Sequence, residues 1–308
     1  MIKVTDLVKR YGDLEAVRGI SFEVNEGEIV GFLGPNGAGK TTTIRVLTGF
    51  TPASSGNAEI AGFDIFDNPL EVKSRIGYMP EFPPVYPDLT VADYLDFVAD
   101  IKNVSKTDKK ENIEYVVQQC GLEEVFNKRI GFLSKGYKQR TGIAQALIHK
   151  PEILFLDEPT SGLDPIQIIE VRNLIRELRK DHTIMLSTHI LPEVSAVCDR
   201  VIIINKGRIV AKDTPENLAS GLSGNVDVDL MVQSDPEKAR SVVARLDYVT
   251  SVKIRDGIVC FQVKERNVIP DVARALVKEK IDIEGLVPRT ASLEEVFLHL
   301  TTREEVVE

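Results

Sequence analysis

The sequence predicts an α/β protein with a mainly parallel β-sheet, followed by a smaller α+β unit. Two short apolar runs, Ile153–Leu156 and Thr183–Ser187, predict buried strands, and a segment with helical periodicity lies between them near Ile166–Arg179. Earlier in the chain, the apolar run Ile29–Leu33 leads into a glycine-rich loop and then into a helix that begins at Lys40. Strands that alternate with helices favour a parallel sheet covered by helices on both faces.

Further strands and a helical region are predicted around these elements. Near the N-terminus, Ile20, Phe22 and Val24 alternate with polar residues, which is typical of a strand with one buried face. The apolar residues of 90–130 recur at helical spacing. The run Val201–Ile204 predicts another buried strand. The first domain is therefore expected to combine sheet and helical parts over residues 1–221.

The C-terminal part, residues 222–308, is predicted to be a separate small domain after a linker at Ser220–Gly224. Its elements follow the order βαββαβ of a ferredoxin-like α+β fold, with one more helix near 293–300. The dipeptide Asp256-Gly257 lies between two strands and predicts a two-residue hairpin turn. Nothing in the pattern assigns this domain a function, and interaction and purely structural roles are both open.

Composition limits the classes of function. The 308 residues are 43 % hydrophobic and 28 % charged, which is ordinary for a globular protein. No apolar run approaches the roughly 20 residues that cross a bilayer. The net charge of −9 disfavours binding to nucleic acid, because such affinity comes from many Lys and Arg on phosphates. The spacing of the three cysteines fits no zinc motif, and we expect ordinary buried thiols.

The strongest motif is the glycine-rich loop, which matches the phosphate-binding pattern GxxxxGK[ST] in full. Its glycines let successive backbone N–H groups point at phosphate oxygens, and the following helix adds its N-terminal dipole. Lys40 is expected to contact the β- and γ-phosphates, and the hydroxyl of Thr41 to ligate Mg²⁺. The predicted nucleotide-binding residues of this segment are Gly34, Pro35, Asn36, Gly37, Ala38, Gly39, Lys40, Thr41 and Thr42.

A pair of carboxylates ends the apolar run at Ile153–Leu156. Because ligands bind at the carboxyl ends of strands in open parallel sheets, Asp157 and Glu158 are placed to meet the phosphates. Asp157 is expected to hold Mg²⁺, and Glu158 to polarise an attacking water. An ordinary strand exit is the alternative for Asp-Glu considered alone.

With these residues in place, the chain resembles the ATP-binding cassette (ABC) ATPases over residues 1 to about 215. Leu133–Arg140 is similar to the family signature, and Ser161–Asp164 to its D-loop. His189 matches the switch histidine, and Tyr11 lies where the family has an aromatic that stacks on adenine. The resemblance implies a P-loop nucleotide-binding domain with an antiparallel β subdomain and a helical signature subdomain. It also implies ATP and Mg²⁺ as cofactors.

The resemblance adds nucleotide-contacting residues whose roles have simpler alternatives. Ser134 and Gly136 are expected to contact ATP from the signature, and Asp164 from the D-loop. Ser134 also has the sequence context of a helix N-cap. His189 is expected to act in catalysis.

Two positions depart from the family pattern. Glu81 stands where the family usually has a Gln that reaches Mg²⁺ and the attacking water. A carboxylate can ligate Mg²⁺ but adds negative charge beside the γ-phosphate. In the signature, Lys135 and Tyr137 replace small and amide residues, whereas the serine and the second glycine position are kept.

The chain carries one copy of each motif, so the resemblance implies a head-to-tail dimer of cassettes, most simply a homodimer. The Pro-rich stretch Glu81–Pro87 lies where the family receives a permease. It and the C-terminal segment Ser292–Phe297 are similar to the subgroup that works with ABC-2-type exporters, including drug-resistance pumps. Such a subunit would sit on the cytoplasmic face of the cell membrane through its permease.

Two other classes of function are compatible with a phosphate-binding loop. A soluble ABC ATPase acting on ribosomes or DNA would carry two cassettes or a long coiled coil, and this chain has one cassette and no heptad run. A small-molecule kinase built on a P-loop has no need of the signature or the D-loop.

Overall fold

The computed structural model describes residues 1–221, 226–233, 235–289 and 293–302. The chain divides into two compact units, Met1–Pro215 and Glu216–Glu308. The predicted linker began at Ser220, but Ser220 and Gly221 are the end of a helix, Pro215–Gly221. The rest of that linker lies outside the described residues, and the predicted boundary at 221/222 stays a prediction.

The first unit contains ten strands and seven α-helices. An eighth helix, α8, begins at its last residue, Pro215. The strands are β1 (Ile2–Tyr11), β2 (Leu14–Val24), β3 (Ile29–Leu33), β4 (Ser55–Ile60), β5 (Phe63–Asp64), β6 (Ile76–Met79), β7 (Ile153–Asp157), β8 (Thr183–Thr188), β9 (Arg200–Asn205) and β10 (Arg208–Asp213). The helices are α1 (Lys40–Leu47), α2 (Pro69–Arg75), α3 (Val91–Ile101), α4 (Lys109–Gln119), α5 (Lys135–Leu147), α6 (Pro165–Leu178), α7 (Leu191–Val197) and α8 (Pro215–Gly221), with 3₁₀ turns at Glu123–Val125 and Ile130–Phe132.

A six-stranded sheet forms the centre of this unit, in the order β10-β9-β3-β8-β7-β6. All neighbours in it are parallel except β9 and β10, which form a hairpin. Every residue of β3, β7 and β8 is buried, as expected for strands covered on both faces. The carboxyl ends of these three strands therefore lie side by side, and the functional motifs follow them.

A second sheet, β2-β1-β4-β5, is antiparallel. Ile2 and Val4 of β1 face a core that they share with Phe22 and Val24 of β2, and the residues between them are exposed. This sheet is the antiparallel subdomain that the resemblance implied.

The helical region predicted at 90–130 is two helices, α3 and α4, rather than one continuous segment. Between them Asn103 has a φ of +55°, the left-handed conformation that ends helices and that Asn tolerates better than most residues. Helix α3 begins at an N-cap, Thr90, whose side chain accepts a hydrogen bond from the amide of Asp93. Helices α3, α4 and α5 share one core and form the helical subdomain that carries the signature.

The second unit has the predicted order βαββαβ plus a final helix. Its elements are β11 (Val226–Val232), α9 (Pro236–Val243), β12 (Val249–Arg255), β13 (Ile258–Val263), a 3₁₀ turn (Arg266–Val268), α10 (Ile269–Lys278), β14 (Ile283–Arg289) and α11 (Leu293–Thr302). The sheet order β12-β13-β11-β14 is antiparallel throughout, the arrangement of a ferredoxin-like fold.

The predicted hairpin turn joins β12 to β13. Arg255 pairs with Ile258, and the two residues between them, Asp256 and Gly257, have φ values of +50° and +80°. Two positive φ angles in succession are the signature of a type I′ turn, which matches the twist of the strands.

In the part of the chain that the structure describes, no helix is both long enough and apolar enough to cross a membrane.

Candidate nucleotide site

The glycine-rich loop joins the end of β3 to the start of α1. Gly39 has a φ of +109°, and a Cβ there would lie 2.6 Å from the carbonyl oxygen of Ala16. A Cβ on Gly34 would lie 2.4 Å from the carbonyl oxygen of Ile204. Backbone from β2 and β9 thus encloses the loop, and these positions accept only glycine. The result is a tight turn of main chain at a helix N-terminus, which suits an anion.

Lys40 is buried in this loop, with 6 % of its side chain exposed. Its ammonium donates hydrogen bonds to the carbonyl oxygens of Gly34 at 2.8 Å and Pro35 at 3.3 Å. It also forms an ion pair with Oε1 of Glu158 at 3.3 Å. A buried cation is costly unless it is paired, and these three acceptors provide the pairing. They hold the ammonium at the loop, between the predicted phosphate contacts and the acidic pair.

Asp157 is the last residue of β7 and is 1 % exposed. Its Oδ1 accepts hydrogen bonds from the hydroxyls of Thr41, at 3.2 Å, and Ser187. Its Oδ2 is buried and has no hydrogen-bond partner among the residues that the structure describes. Burial raises the pKa of this carboxyl, although the two hydroxyl hydrogen bonds act in the opposite direction. A carboxylate oxygen without a partner, beside a threonine hydroxyl, fits a magnesium ion, whose preferred ligands are oxygens.

Glu158 follows with a φ of +49°, which is unusual for a residue with a side chain. Its amide donates to the carbonyl oxygen and to the hydroxyl of Ser187, both at 3.1 Å. Such a strained conformation persists only where the surroundings hold it, and it is common at functional sites. The turn directs the carboxylate between Lys40 and His189, whose Nδ1 lies 2.8 Å from Oε2 of Glu158.

A cavity of about 570 Å³ collects most of the predicted residues. Its lining includes Tyr11, Asn36, Gly37, Gly39, Lys40, Thr41, Thr42, Glu81, Glu158 and His189. Tyr11 is 45 % exposed at its rim, and the ammonium of Lys9 lies 4.8 Å from the centre of the ring. Three further predicted residues, Gly34, Pro35 and Asp157, adjoin the lining through the contacts above. The amide of Ala38 donates to the carbonyl oxygen of Pro35 at 3.2 Å, which places it in the same loop.

Sequence reasoning missed Leu14 and Ala16, which also line the cavity, and Ser187, which holds both carboxylate residues. Ser161, the first residue of the predicted D-loop segment, lines the cavity as well. Ser187 pairs with Asp157 across the parallel strands β7 and β8. Its position two residues before His189 was the available signal, because the ends of neighbouring parallel strands lie at one edge of a sheet.

Ser134, Gly136 and Asp164 lie elsewhere. They line a second, smaller cavity of about 300 Å³ together with Tyr137, Arg140, Ile166, Gln167 and Glu170. Ser134 is the exposed N-cap of α5 and accepts from the amide of Tyr137 at 3.4 Å. Asp164 caps α6 by accepting from the amides of Ile166 and Gln167, both at 3.0 Å. The three residues thus share a site, but it is separate from the cavity around Lys40.

Comparisons with known proteins identify the family of the chain. The ABC transporter family model matches residues 17–161. The ABC transporter ATP-binding protein YxlF of Bacillus subtilis (strain 168) is 36 % identical over 97 % of this chain and 98 % of its own. The linearmycin resistance ATP-binding protein LnrL of the same organism is 32 % identical over 98 % of this chain and 99 % of its own. The chain belongs to the ABC transporter ATP-binding proteins.

The bacitracin transport ATP-binding protein BcrA of Bacillus licheniformis is 46 % identical over 68 % of both chains. Among solved structures, the ATP-binding subunit of an ABC transporter superposes with a TM-score of 0.65 at 31 % identity, over 72 % of this chain and 93 % of that one. The P-loop fold is therefore confirmed, and the chain is an ABC ATPase that binds and hydrolyses ATP.

Proposed function

We propose that this ABC ATPase drives an exporter, and that it does so as a head-to-tail dimer bound to a separate membrane permease. The observation that supports this most directly is the division of the family motifs between two cavities of one cassette. One cavity carries the phosphate loop, the acidic pair and His189, and the other carries the signature. Each molecule then offers half of what a complete site needs.

Magnesium would be held by the hydroxyl of Thr41 and the carboxylate of Asp157, with Glu81 at the cavity lining. The ion would neutralise charge on the phosphates. Oδ2 of Asp157, which lacks a hydrogen-bond partner among the described residues, supports this assignment. Burial raises the pKa of Asp157, and a nearby cation favours the ionised form, so ion binding and deprotonation are coupled.

Glu158 is proposed as the base that orients and polarises the attacking water. Its Oε2 contacts Nδ1 of His189 and its Oε1 contacts Lys40, so the carboxylate is fixed at both ends. His189, with 45 % of its side chain exposed, reaches the cavity from the end of β8. It would hold Glu158 in position and contact the γ-phosphate from the same side.

The dimer follows from the second cavity. Ser134 is exposed at the N-terminus of α5, where the helix dipole favours an anion. In a head-to-tail pair, this terminus would close on the ATP held by the partner's phosphate loop. The γ-phosphate then joins the two molecules, and its loss on hydrolysis lets them separate.

The permease would dock on an apolar surface next to the helical subdomain. Phe82 and Phe132 are 77 % and 86 % exposed, and the ring of Tyr86 stacks edge-on against Phe97 at 5.7 Å. The amide of Gly131 donates to the carbonyl oxygen of Pro87, which ties the two loops together. Exposed apolar patches of this kind mark protein interfaces. A cytoplasmic segment of an ABC-2-type permease is the proposed occupant, which would place the subunit at the inner face of the membrane.

Export is proposed because BcrA is a bacitracin transport protein and LnrL a linearmycin resistance protein. The alternative, action on ribosomes or DNA, is not favoured, since these relatives are transporter or resistance proteins and the chain is acidic. Which compound is exported depends on the permease.

The test is the isosteric substitution Glu158→Gln. We expect it to keep Mg-ATP binding, lower turnover by about 10²- to 10⁴-fold, and trap a nucleotide-bound dimer that size-exclusion chromatography detects. Glu59→Gln, on the exposed face of β4, is the matched control and should behave as the parent. Unchanged turnover in Glu158→Gln would remove Glu158 from the proposed role.

A further inference from the structure

Besides Asp157 and Glu158, another buried carboxylate lies close to the nucleotide cavity but does not line it. Glu193, in the first turn of α7, is 3 % exposed. Its Oε2 accepts a hydrogen bond from the hydroxyl of Thr188 at 2.7 Å, and its Oε1 accepts one from the hydroxyl of Thr160. Both donors are buried. A buried carboxylate is expensive to desolvate, so a group placed here needs such donors.

The two threonines adjoin different loops, and each loop carries one of the proposed catalytic groups. Thr160 lies in the turn after Glu158, where the amide of Ser161 donates to the carbonyl oxygen of Glu158 at 3.1 Å. Thr188 is the last residue of β8 and immediately precedes His189. Glu193 therefore connects the loop of Glu158 with the loop of His189.

Glu193 also stabilises the loop that carries His189. The hydroxyl of Thr188 donates to Glu193 and accepts from the amide of Ile190 at 3.0 Å. The amide of Glu193 donates in turn to the carbonyl oxygen of Ile190 at 3.1 Å. His189 thus lies between Thr188 and Ile190, which are hydrogen-bonded to each other. Its ring is held at the 2.8 Å contact with Glu158.

We propose that Glu193 is a positioning residue for ATP hydrolysis, which fixes His189 against Glu158 by binding Thr188 and Thr160 from beneath. Glu193 does not line the nucleotide cavity, so it would act through the geometry of the two loops. The inference rests on the proposed roles of Glu158 and His189. A displacement of about 1 Å at a reacting group can cost roughly 10²-fold in rate, so the effect is measurable.

The test removes each hydroxyl without changing side-chain shape. Thr188→Val and Thr160→Val, in the full chain, should lower kcat for Mg-ATP by about tenfold and leave KM within about twofold. Thr188→Ser and Thr160→Ser keep the hydroxyl and should restore most of the rate. Glu193→Gln keeps the size of the side chain and provides a third, independent variant.

A control for stability lies at the other end of the same strand. Thr183 is buried and its hydroxyl accepts a hydrogen bond from the amide of Gly27 at 3.0 Å. Thr183→Val should lower the melting temperature by about as much as Thr188→Val does, roughly 2–4 °C, with no change in kcat. If Thr188→Val and Thr160→Val match Thr183→Val in kcat, Glu193 is only structural and the inference is wrong.

One further comparison separates this inference from the proposed catalytic site. In a chain that already carries His189→Ala, Thr188→Val should have no additional effect on the residual rate, because its target is gone. A further tenfold loss there would contradict positioning through His189. Full activity of Glu158→Gln would instead contradict the proposed function itself, whatever the threonine variants do.

Discussion

The two cavities of the first unit are built in opposite ways. The cavity around Lys40 is organised by buried charges, since Lys40, Asp157 and Glu158 are all at most 6 % exposed and bonded to one another or to nearby hydroxyls. The cavity around Ser134 is organised by helix caps at the surface, with Ser134 and Asp164 satisfying the amides of their own helices. The first cavity is a pre-organised site. The second is a surface site, and its proposed occupant is the ATP bound by a second chain.

Under the proposed head-to-tail dimer, this difference would explain why each chain needs a second one. In the proposed site, the buried charges would fix the phosphates of the nucleotide and the catalytic groups before any partner binds, because a pre-organised site needs little reorganisation. The exposed N-terminus of α5 lies outside the cavity around Lys40. Its dipole would therefore act on the phosphates of an ATP that a second chain binds. Three substitutions probe the first cavity in order of expected effect, and a mixing experiment then tests its relation to the second.

The largest effect is expected for Lys40→Met, which removes the ammonium but keeps most of the side-chain volume. Mg-ATP affinity should fall by at least about 100-fold, because several charge-assisted hydrogen bonds to phosphate are lost. Isothermal titration calorimetry measures this. The exposed Lys3 provides the control, and Lys3→Met should bind as the parent. Near-normal affinity in Lys40→Met would mean that the phosphates lie elsewhere.

Asp157→Asn should change activity and stability in opposite directions. The variant is expected to lose magnesium-dependent ATP hydrolysis by about 10²-fold or more. Without nucleotide it should melt about 2–5 °C higher near neutral pH, since no charge has to be buried.

The stability difference between Asp157→Asn and the parent should depend on pH, in a direction set by the pKa of Asp157. Burial raises the pKa of Asp157 above its usual 3.8, so the folded protein prefers the protonated carboxyl and loses stability as pH rises through that range. The difference in melting temperature between Asp157→Asn and the parent should therefore grow from pH 4 to pH 7. A constant difference, or a less stable variant, would show that the hydroxyls of Thr41 and Ser187 fully compensate the charge.

The smallest effect is expected at the exposed rim. Tyr11→Ala should weaken ATP binding by about tenfold, the usual size of one base–aromatic stacking contact. Tyr11→Phe keeps the ring and should stay within about twofold of the parent. Fluorescence titration with an ATP analogue measures both. If the two variants lose affinity equally, the hydroxyl rather than the ring contacts the nucleotide.

Much of the first cavity was predictable because its parts are local in sequence. The segment Gly34–Thr41 joins a buried strand to a helix, and Asp157-Glu158 ends another buried strand, so each can be located without the rest of the fold. Strands of this kind end at one edge of a parallel sheet, which brings the two motifs together. The Asp256-Gly257 hairpin was predictable for a similar reason, since its turn chemistry lies in two residues.

Other features depend on contacts between distant segments. The pairing of Ser187 with Asp157 is set by strand register, and a serine carries no signal of its own. The break between α3 and α4 covers residues 102–108, and the left-handed conformation of Asn103 within it carries no clear signal in the sequence. Glu193 has no distinguishing signal in the sequence, and only the folded chain shows its burial against Thr160 and Thr188.

The proposed head-to-tail dimer is tested most directly by mixing two inactive chains. Lys40→Met disables the phosphate loop, and Gly136→Asp places a repelling carboxylate at the second residue of α5, where an acidic side chain suits the helix. Each chain alone should be nearly inactive. An equal mixture should recover about a quarter of the parent's ATPase rate, because half of the dimers are mixed and each has one intact site. If the mixture shows no more activity than its components, the complete site lies within a single chain and the account is wrong.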